Sequence, residues 1–136
     1  MNESDQIADL LKRTRTIAVV GLSDNPMRAS HGVAAYLQSH GYRIIPVNPT
    51  LQEVIGQRCY PSLLDIPPEE QVDIVDIFRR SEQVPEIVDK AIRRQVPAVW
   101  MQEGVIHEEA ANKARQAGMF VVMDRCILKE HKQWSR

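Results

Sequence analysis

Within the run from Gly21 to Ser30 the chain carries Ser23, Pro26, Arg28 and Ser30. Two hydroxyls and a guanidinium donate hydrogen bonds to an anion, and arginine does so through a planar fork that matches phosphate. An apolar, β-branched stretch, Ile17 to Val20, precedes the run, and apolar residues at helical spacing follow from Arg28 to His40. The pattern predicts a strand, a sharp turn that Gly21 permits, and a helix whose first-turn N–H groups and positive dipole end face that turn. One phosphate or pyrophosphate fits this chemistry. Three further runs add to it. Val47-Asn48-Pro49 supplies a wall shaped by proline, Phe78-Arg79-Arg80-Ser81 a ring with guanidinium groups, and Gln102-Glu103-Gly104 a backbone that a ligand can approach closely.

These runs need elements to position them, and the chain alternates strand and helix patterns throughout. Ser4 to Arg13 has Ile7, Leu10 and Leu11 at helical spacing behind a Ser4 cap, and after Gly41 a second strand runs from Tyr42 to Val47. Leu51 to Gly56 reads as one helical turn, and Arg58-Cys59-Tyr60 as a short extended piece. Val72 to Phe78 is the next strand. Ser81 caps a helix over Glu82 to Gln95, Ala98 to Met101 is a strand, His107 to Ala117 a helix, and Met119 to Met123 the last strand. Arg125 to Arg136 is a mildly basic tail with Trp134, suited to pack on a partner. The expectation is an α/β, Rossmann-like fold: a mainly parallel sheet with helices on both faces, one domain over residues 1–136 with residues 1–14 packed on it as a helix. The four runs then share the carboxyl edge of the sheet, where such folds bind ligands. Along the third run alternation sends Arg79 and Arg80 to opposite sides, with Arg79 assigned to the crevice. Phe78 packs partly into the core and still offers a face to a base.

Charge and cysteine usage exclude several classes. Seventeen Lys and Arg against eighteen Asp and Glu leave a net charge of -1, so no global field recruits nucleic acid or an anionic membrane, and any anion site is local. The polar, acidic start from Met1 to Ala8 is no export signal, and the longest apolar runs are far shorter than the roughly twenty residues of a membrane helix. A cytoplasmic protein with a small-molecule cofactor is expected, its protein partner open. Cys59 and Cys126 make neither a disulfide framework nor a zinc site, and His40, His107 and His131 lack partners at ligand spacing, so no metal is assigned and surface or capping roles are expected for these histidines. His31 either donates to an anion or sits solvated, and Cys126 is either a reactive thiol or a buried, inert one. No Ser-His-Asp or Cys-His array and no Walker A run is legible. The dinucleotide fingerprint is also missing: the chain has Gly21, Ser23 and Pro26 where the pattern has three glycines, and Asn48 stands where an acid would grip ribose hydroxyls.

Several motifs in order resemble one family over nearly the whole chain. They are Val20-Gly21-Leu22-Ser23-Asp24-Asn25-Pro26, Gly41-Tyr42 leading to Pro46-Val47-Asn48-Pro49, Gly56 with Tyr60-Pro61-Ser62-Leu63, Asp76-Ile77-Phe78-Arg79-Arg80, Trp100-Met101-Gln102-Glu103-Gly104 and Met123-Asp124-Arg125-Cys126. The likeness is to small stand-alone coenzyme A-binding domain proteins, related to the cofactor domain of the succinyl-CoA synthetase alpha subunit. The resemblance implies coenzyme A with its phosphates near Gly21, Ser23, Arg28 and Ser30, adenine or ribose near Val47 to Pro49 and Phe78, and Arg79 as a further phosphate partner. Thr50 and Leu51 depart from the synthetase pattern, which has a lysine after the proline of the second strand, so Arg28 and Arg80 become candidates for the 3′-phosphate. The resemblance does not extend to a phosphohistidine-bearing second domain within these 136 residues, so it does not imply ligase catalysis. The expected function is a non-catalytic module for coenzyme A or an acyl-CoA, with Gly21, Ser23, Pro26, Arg28, Ser30, Val47, Asn48, Pro49, Phe78, Arg79, Gln102 and Gly104 as its binding residues. An NAD(P)-binding enzyme or sensor, and an acyl-CoA-using enzyme working through Cys126 or His31, are the alternatives.

Overall fold

The computed structural model describes residues 2–135; Met1 and Arg136, the ends of the expected domain and tail, lie outside the described residues. In chain order the elements are α1 (Glu3–Arg13), β1 (Thr16–Val20), α2 (Ala29–Ser39), β2 (Arg43–Val47), β3 (Glu53–Val54), β4 (Gln57–Arg58), β5 (Ile74–Ile77), α3 (Val84–Arg93), β6 (Ala98–Met101), α4 (Glu108–Gln116), β7 (Phe120–Val122) and α5 (Ile127–Trp134), with short 3-10 turns at Leu63–Asp65 and Ser81–Gln83. Five strands form one sheet in the order β2-β1-β5-β6-β7, and every neighbouring pair is parallel.

The strand sequences explain that arrangement. β1 is buried along its whole length, as a strand covered on both faces must be, and therefore reads as an unbroken apolar run. Successive side chains go to opposite layers. Ala18, Val20, Val75, Ile77, Val99 and Met101 pack under α3 and α4 in one core. Ile17, Val19, Ile74 and Trp100 pack in the other beneath α1, α2 and the start of α5. The chain leaves β1 outward to β2, then returns to place β5 on the other side of β1. Helix α2 thus covers one face and α3 the other, which opens a crevice between the carboxyl ends of β1 and β5.

Four local expectations are corrected. Residues 51–56 form no helical turn: Glu53 pairs with Arg58 and Val54 with Gln57 in an antiparallel hairpin. Its two central residues, Ile55 and Gly56, have φ of 47° and 76°, the combination that a tight hairpin turn demands. The tail is helical from Ile127 to Trp134 and buries Ile127 and His131 against its own chain, while Trp134 stays exposed. His131, expected at the surface, is 4% exposed. Asn2 rather than Ser4 caps α1, its side chain accepting from the Asp5 N–H. Ser81 does not cap α3 but opens the 3-10 turn before it, while its Oγ accepts from the Ile106 N–H at 3.0 Å.

Candidate functional site

Gly21 sets the geometry of the crevice. Its φ is +89°, and a Cβ placed on it would come within 2.3 Å of the Phe78 carbonyl oxygen and 3.2 Å of Arg79 Nε. Only glycine lets the loop after β1 lie directly on the loop after β5. The Gly21 N–H donates to the Val47 carbonyl at 2.8 Å, and Asn48 Nδ2 donates to the Leu22 carbonyl at 3.1 Å, so the loop after β2 joins the same assembly. The other end of Asn48, Oδ1, accepts from the N–H and hydroxyl of Thr50. Asn48 is therefore a latch between loops, both of its polar ends engaged within the protein.

The turn into α2 is folded on itself. The Ser23 N–H donates to Ser30 Oγ at 3.0 Å, Ser23 Oγ accepts from the Asn25 N–H at 3.0 Å, and Asn25 Oδ1 accepts from the Met27 N–H. Ser30 is buried and faces back to the turn, whereas Pro26 and Arg28 are exposed. Arg28 holds the cap position without a side-chain capping bond, and the first turn of α2 contains no acidic residue. Uncapped N–H groups and an uncompensated positive dipole end therefore face a cavity of about 370 Å3 lined by Gly21, Ser23, Arg28, Ala29, Ser30, Phe78 and Arg79.

Two further cavities adjoin this one through Arg79, which lines all three. One, about 280 Å3, lies between Val47, Pro49 and Ser62 on one wall and Gln83 with Glu86, Ile87 and Lys90 of α3 on the other. The second, about 530 Å3, runs from Ala29 and Phe78 past Gln102 to Cys126. Arg79 thus stands at the centre of the crevice. Arg80 points outward, its side chain 83% exposed and 3.7 Å from Glu82, and touches only the rim of the larger cavity. Phe78 is half-buried and packs on the core while facing two of the cavities.

The fourth run behaves differently from the other three. Gln102 borders the larger cavity, but its Oε1 accepts from the Ile127 N–H at 3.2 Å and so holds the start of α5. The Gly104 N–H donates to Asp124 Oδ1 at 2.8 Å, which ties its loop to the one after β7, and Gly104 does not line any of the three cavities. Gln83, Glu86 and Lys90 went unremarked in the sequence, where the outer flank of an amphipathic helix looks like a solvated face. The parallel bridge between Val47 and Tyr60 brings Pro61 and Ser62 beside Pro49, a contact with no local signature.

Titratable groups divide by burial. Asp76, on β5 between Val19 and Trp100, is fully buried, and both carboxyl oxygens lack a hydrogen-bond partner. Desolvation holds its pKa well above the usual carboxylate range. Burial likewise raises the Cys59 thiol and, together with nearby His40, lowers His131. His107 caps α4 by accepting from the Ala110 N–H at 3.1 Å. Among the described residues no three His, Cys, Asp or Glu cluster to hold a metal ion, and no helix is long and apolar enough to cross a membrane.

Comparisons with known proteins agree with this architecture. A family model described as a CoA binding domain matches residues 15–132. Uncharacterized protein YneT of Bacillus subtilis is 44% identical over 126 residues, covering 93% of this chain and 92% of that protein. The ADP-forming acetate–CoA ligase II of Archaeoglobus fulgidus is 28% identical over 102 residues, which is 74% of this chain and only 15% of the ligase. Among solved structures, a hypothetical protein from Pyrococcus horikoshii OT3 superimposes with a TM-score of 0.95 at 38% identity, over 99% of this chain and 94% of that one.

Proposed function

The chain belongs to the CoA binding domain family, and from that premise we propose that it is a cytoplasmic, single-domain module over residues 1–136 that binds coenzyme A or an acyl-CoA and releases it chemically unchanged. The observation that carries the reading is the meeting of three cavities at Arg79 beside the uncapped start of α2. The donor set suits a ligand with a pyrophosphate in its middle. N–H groups of α2, Ser23, Arg28 and Arg79 would hold the pyrophosphate. Val47, Pro49 and the α3 wall would enclose the adenosine, and the channel past Gln102 toward Cys126 would take the pantetheine arm and any acyl group. Bound there, coenzyme A would supply only its thiol or thioester chemistry.

NAD fits less well. A nicotinamide dinucleotide is gripped by a carboxylate on its ribose hydroxyls, and the side chain at that place, Asn48, is engaged at both ends by Leu22 and Thr50.

Calorimetric titration with coenzyme A tests the reading. Arg79→Ala is expected to weaken binding by about tenfold or more, the worth of a charge-assisted hydrogen bond, while the melting temperature of the unliganded protein stays near that of wild type. Acetyl-CoA incubated with the protein should be recovered intact. Wild-type protein that does not bind coenzyme A, or an Arg79→Ala variant with undiminished affinity, would overturn the site; release of free thiol from acetyl-CoA would replace the binding module with an enzyme.

A further inference from the structure

Coenzyme A differs from its dephospho form by one phosphomonoester on the adenosine ribose, a group carrying about -1.5 to -2 charges at neutral pH. A crevice that tells the two apart needs a cation at its adenosine end, and the loop after β2 offers only Thr50 and Leu51 there. We infer that Lys90, on the last turn of α3, is the residue that reads the 3′-phosphate and sets a preference for coenzyme A over dephospho-coenzyme A. This inference rests on the coenzyme A reading above.

Four cations border the crevice, and their placement separates their roles. Arg28 lines only the cavity over α2. Arg80 lines only the larger cavity and lies beside Glu82, which removes it from the adenosine end despite its place in the motif. Arg79 lines all three cavities, at the pyrophosphate. Lys90 alone is confined to the cleft of Val47, Pro49 and Ser62. It is half-buried, and among the described residues no carboxylate is within ion-pair distance of its Nζ. Its charge is thus available to a ligand in a setting less screened than open solvent.

Ser62 completes the pair. Its Oγ accepts from the Leu64 N–H at 3.2 Å, so the hydroxyl proton remains to be donated toward the cleft. Glu86, one turn before Lys90, lines the same cleft; its charge opposes an unpaired phosphate there, so the lysine is needed to make a dianion acceptable.

The test is a titration of coenzyme A and dephospho-coenzyme A into wild type, Lys90→Ala, Lys90→Arg and Arg28→Ala, with unliganded melting temperatures as the check on folding. Wild type is expected to prefer coenzyme A by about tenfold or more. In Lys90→Ala the preference should collapse with affinity for the dephospho form retained, and Lys90→Arg should keep it. The wild-type preference should also shrink with added salt and below about pH 6, where the phosphomonoester takes up a proton. Equal affinities in wild type, equal losses for both ligands in Lys90→Ala, or loss of the preference in Arg28→Ala instead would overturn the role of Lys90 and leave the coenzyme A reading standing. Binding of neither ligand to wild type would remove both.

Discussion

At the scale of single residues, Asp76 is the group most at odds with its surroundings. A carboxyl without any hydrogen bond at the centre of a parallel sheet costs free energy, and it survives there by keeping its proton. In the unfolded chain the same group ionises at its ordinary value of about 3.9, so the folded state binds the proton over a pH range in which the unfolded state has lost it. Stability must therefore fall as pH rises above about 4 and go on falling until the folded-state pKa is passed. Asp76→Asn keeps the shape and cannot ionise. It should match wild type in urea denaturation near pH 4 and exceed it at pH 8 by about 1 kcal/mol or more, since each unit of displacement is worth about 1.4 kcal/mol. A gap that does not change with pH would mean that the carboxyl is not titrating.

Among the elements, α5 couples the crevice to a titratable seam. Its N-terminal residue Ile127 is held by Gln102 and Cys126 before it lines the larger cavity, while one face of the helix rests on α2 through His131. The Tyr36 hydroxyl and His131 Nδ1 are 2.8 Å apart. The rings of His40, Tyr42 and Trp134 lie edge-on to His131 at 5.1, 5.6 and 5.3 Å, and Lys132 Nζ sits 5.6 Å above the Tyr36 ring. Burial and the neighbouring imidazole of His40 both disfavour a charge on His131. A base whose folded pKa is depressed stays neutral in the fold while the unfolded chain binds a proton, so stability falls as pH drops below about 6.5 and levels off under the folded value. In the Asp76→Asn background, where the opposing titration of the buried carboxyl is removed, the protein should melt at a lower temperature at pH 5 than at pH 8, and adding His131→Gln should narrow that difference. An unchanged difference would take the seam out of the acid response.

For the whole molecule, the proposed ligand would lie across loops from β1, β2 and β5, on both sides of the point where the strand order reverses. Such a ligand cannot stay bound when the sheet comes apart, so its binding free energy adds to global stability. At a hundred times its dissociation constant coenzyme A should add about 2.7 kcal/mol, a rise of several degrees in melting temperature for a chain of this size. Acetyl-CoA should act similarly, with NAD, NADP and ATP well behind. A shift by NAD or NADP alone would change the cofactor and keep the fold. Because the net charge is only -1, attraction of the proposed ligand would come from Arg28, Arg79, Lys90 and the start of α2, not from the protein as a whole.

The sequence by itself determined the alternating architecture and the edge at which a ligand would meet it. Strands buried on both faces must be written as apolar runs, such as Ile17 to Val20, and a parallel sheet with short connections leaves the loops after its strands on one side. Gly21, Ser23, Arg28, Ser30, Val47, Pro49 and Arg79 line the cavities there because their positions follow from local signals: a strand end, a turn and a helix start. What only the tertiary structure decided depends on residues far apart in the chain. The 53–58 hairpin takes its turn from the pairing of Glu53 with Arg58, and the tail becomes a helix because Ile127 and His131 find cover within the protein. Asn48 and Gln102 turn their polar ends to Leu22 and Ile127, and Lys90 comes to line a cleft because Val47 bridges to Tyr60 and carries Ser62 to the opposite wall. Periodicity reports which face of an element is buried; it cannot report which other element supplies the cover, and that is where the cleft around Lys90 is made.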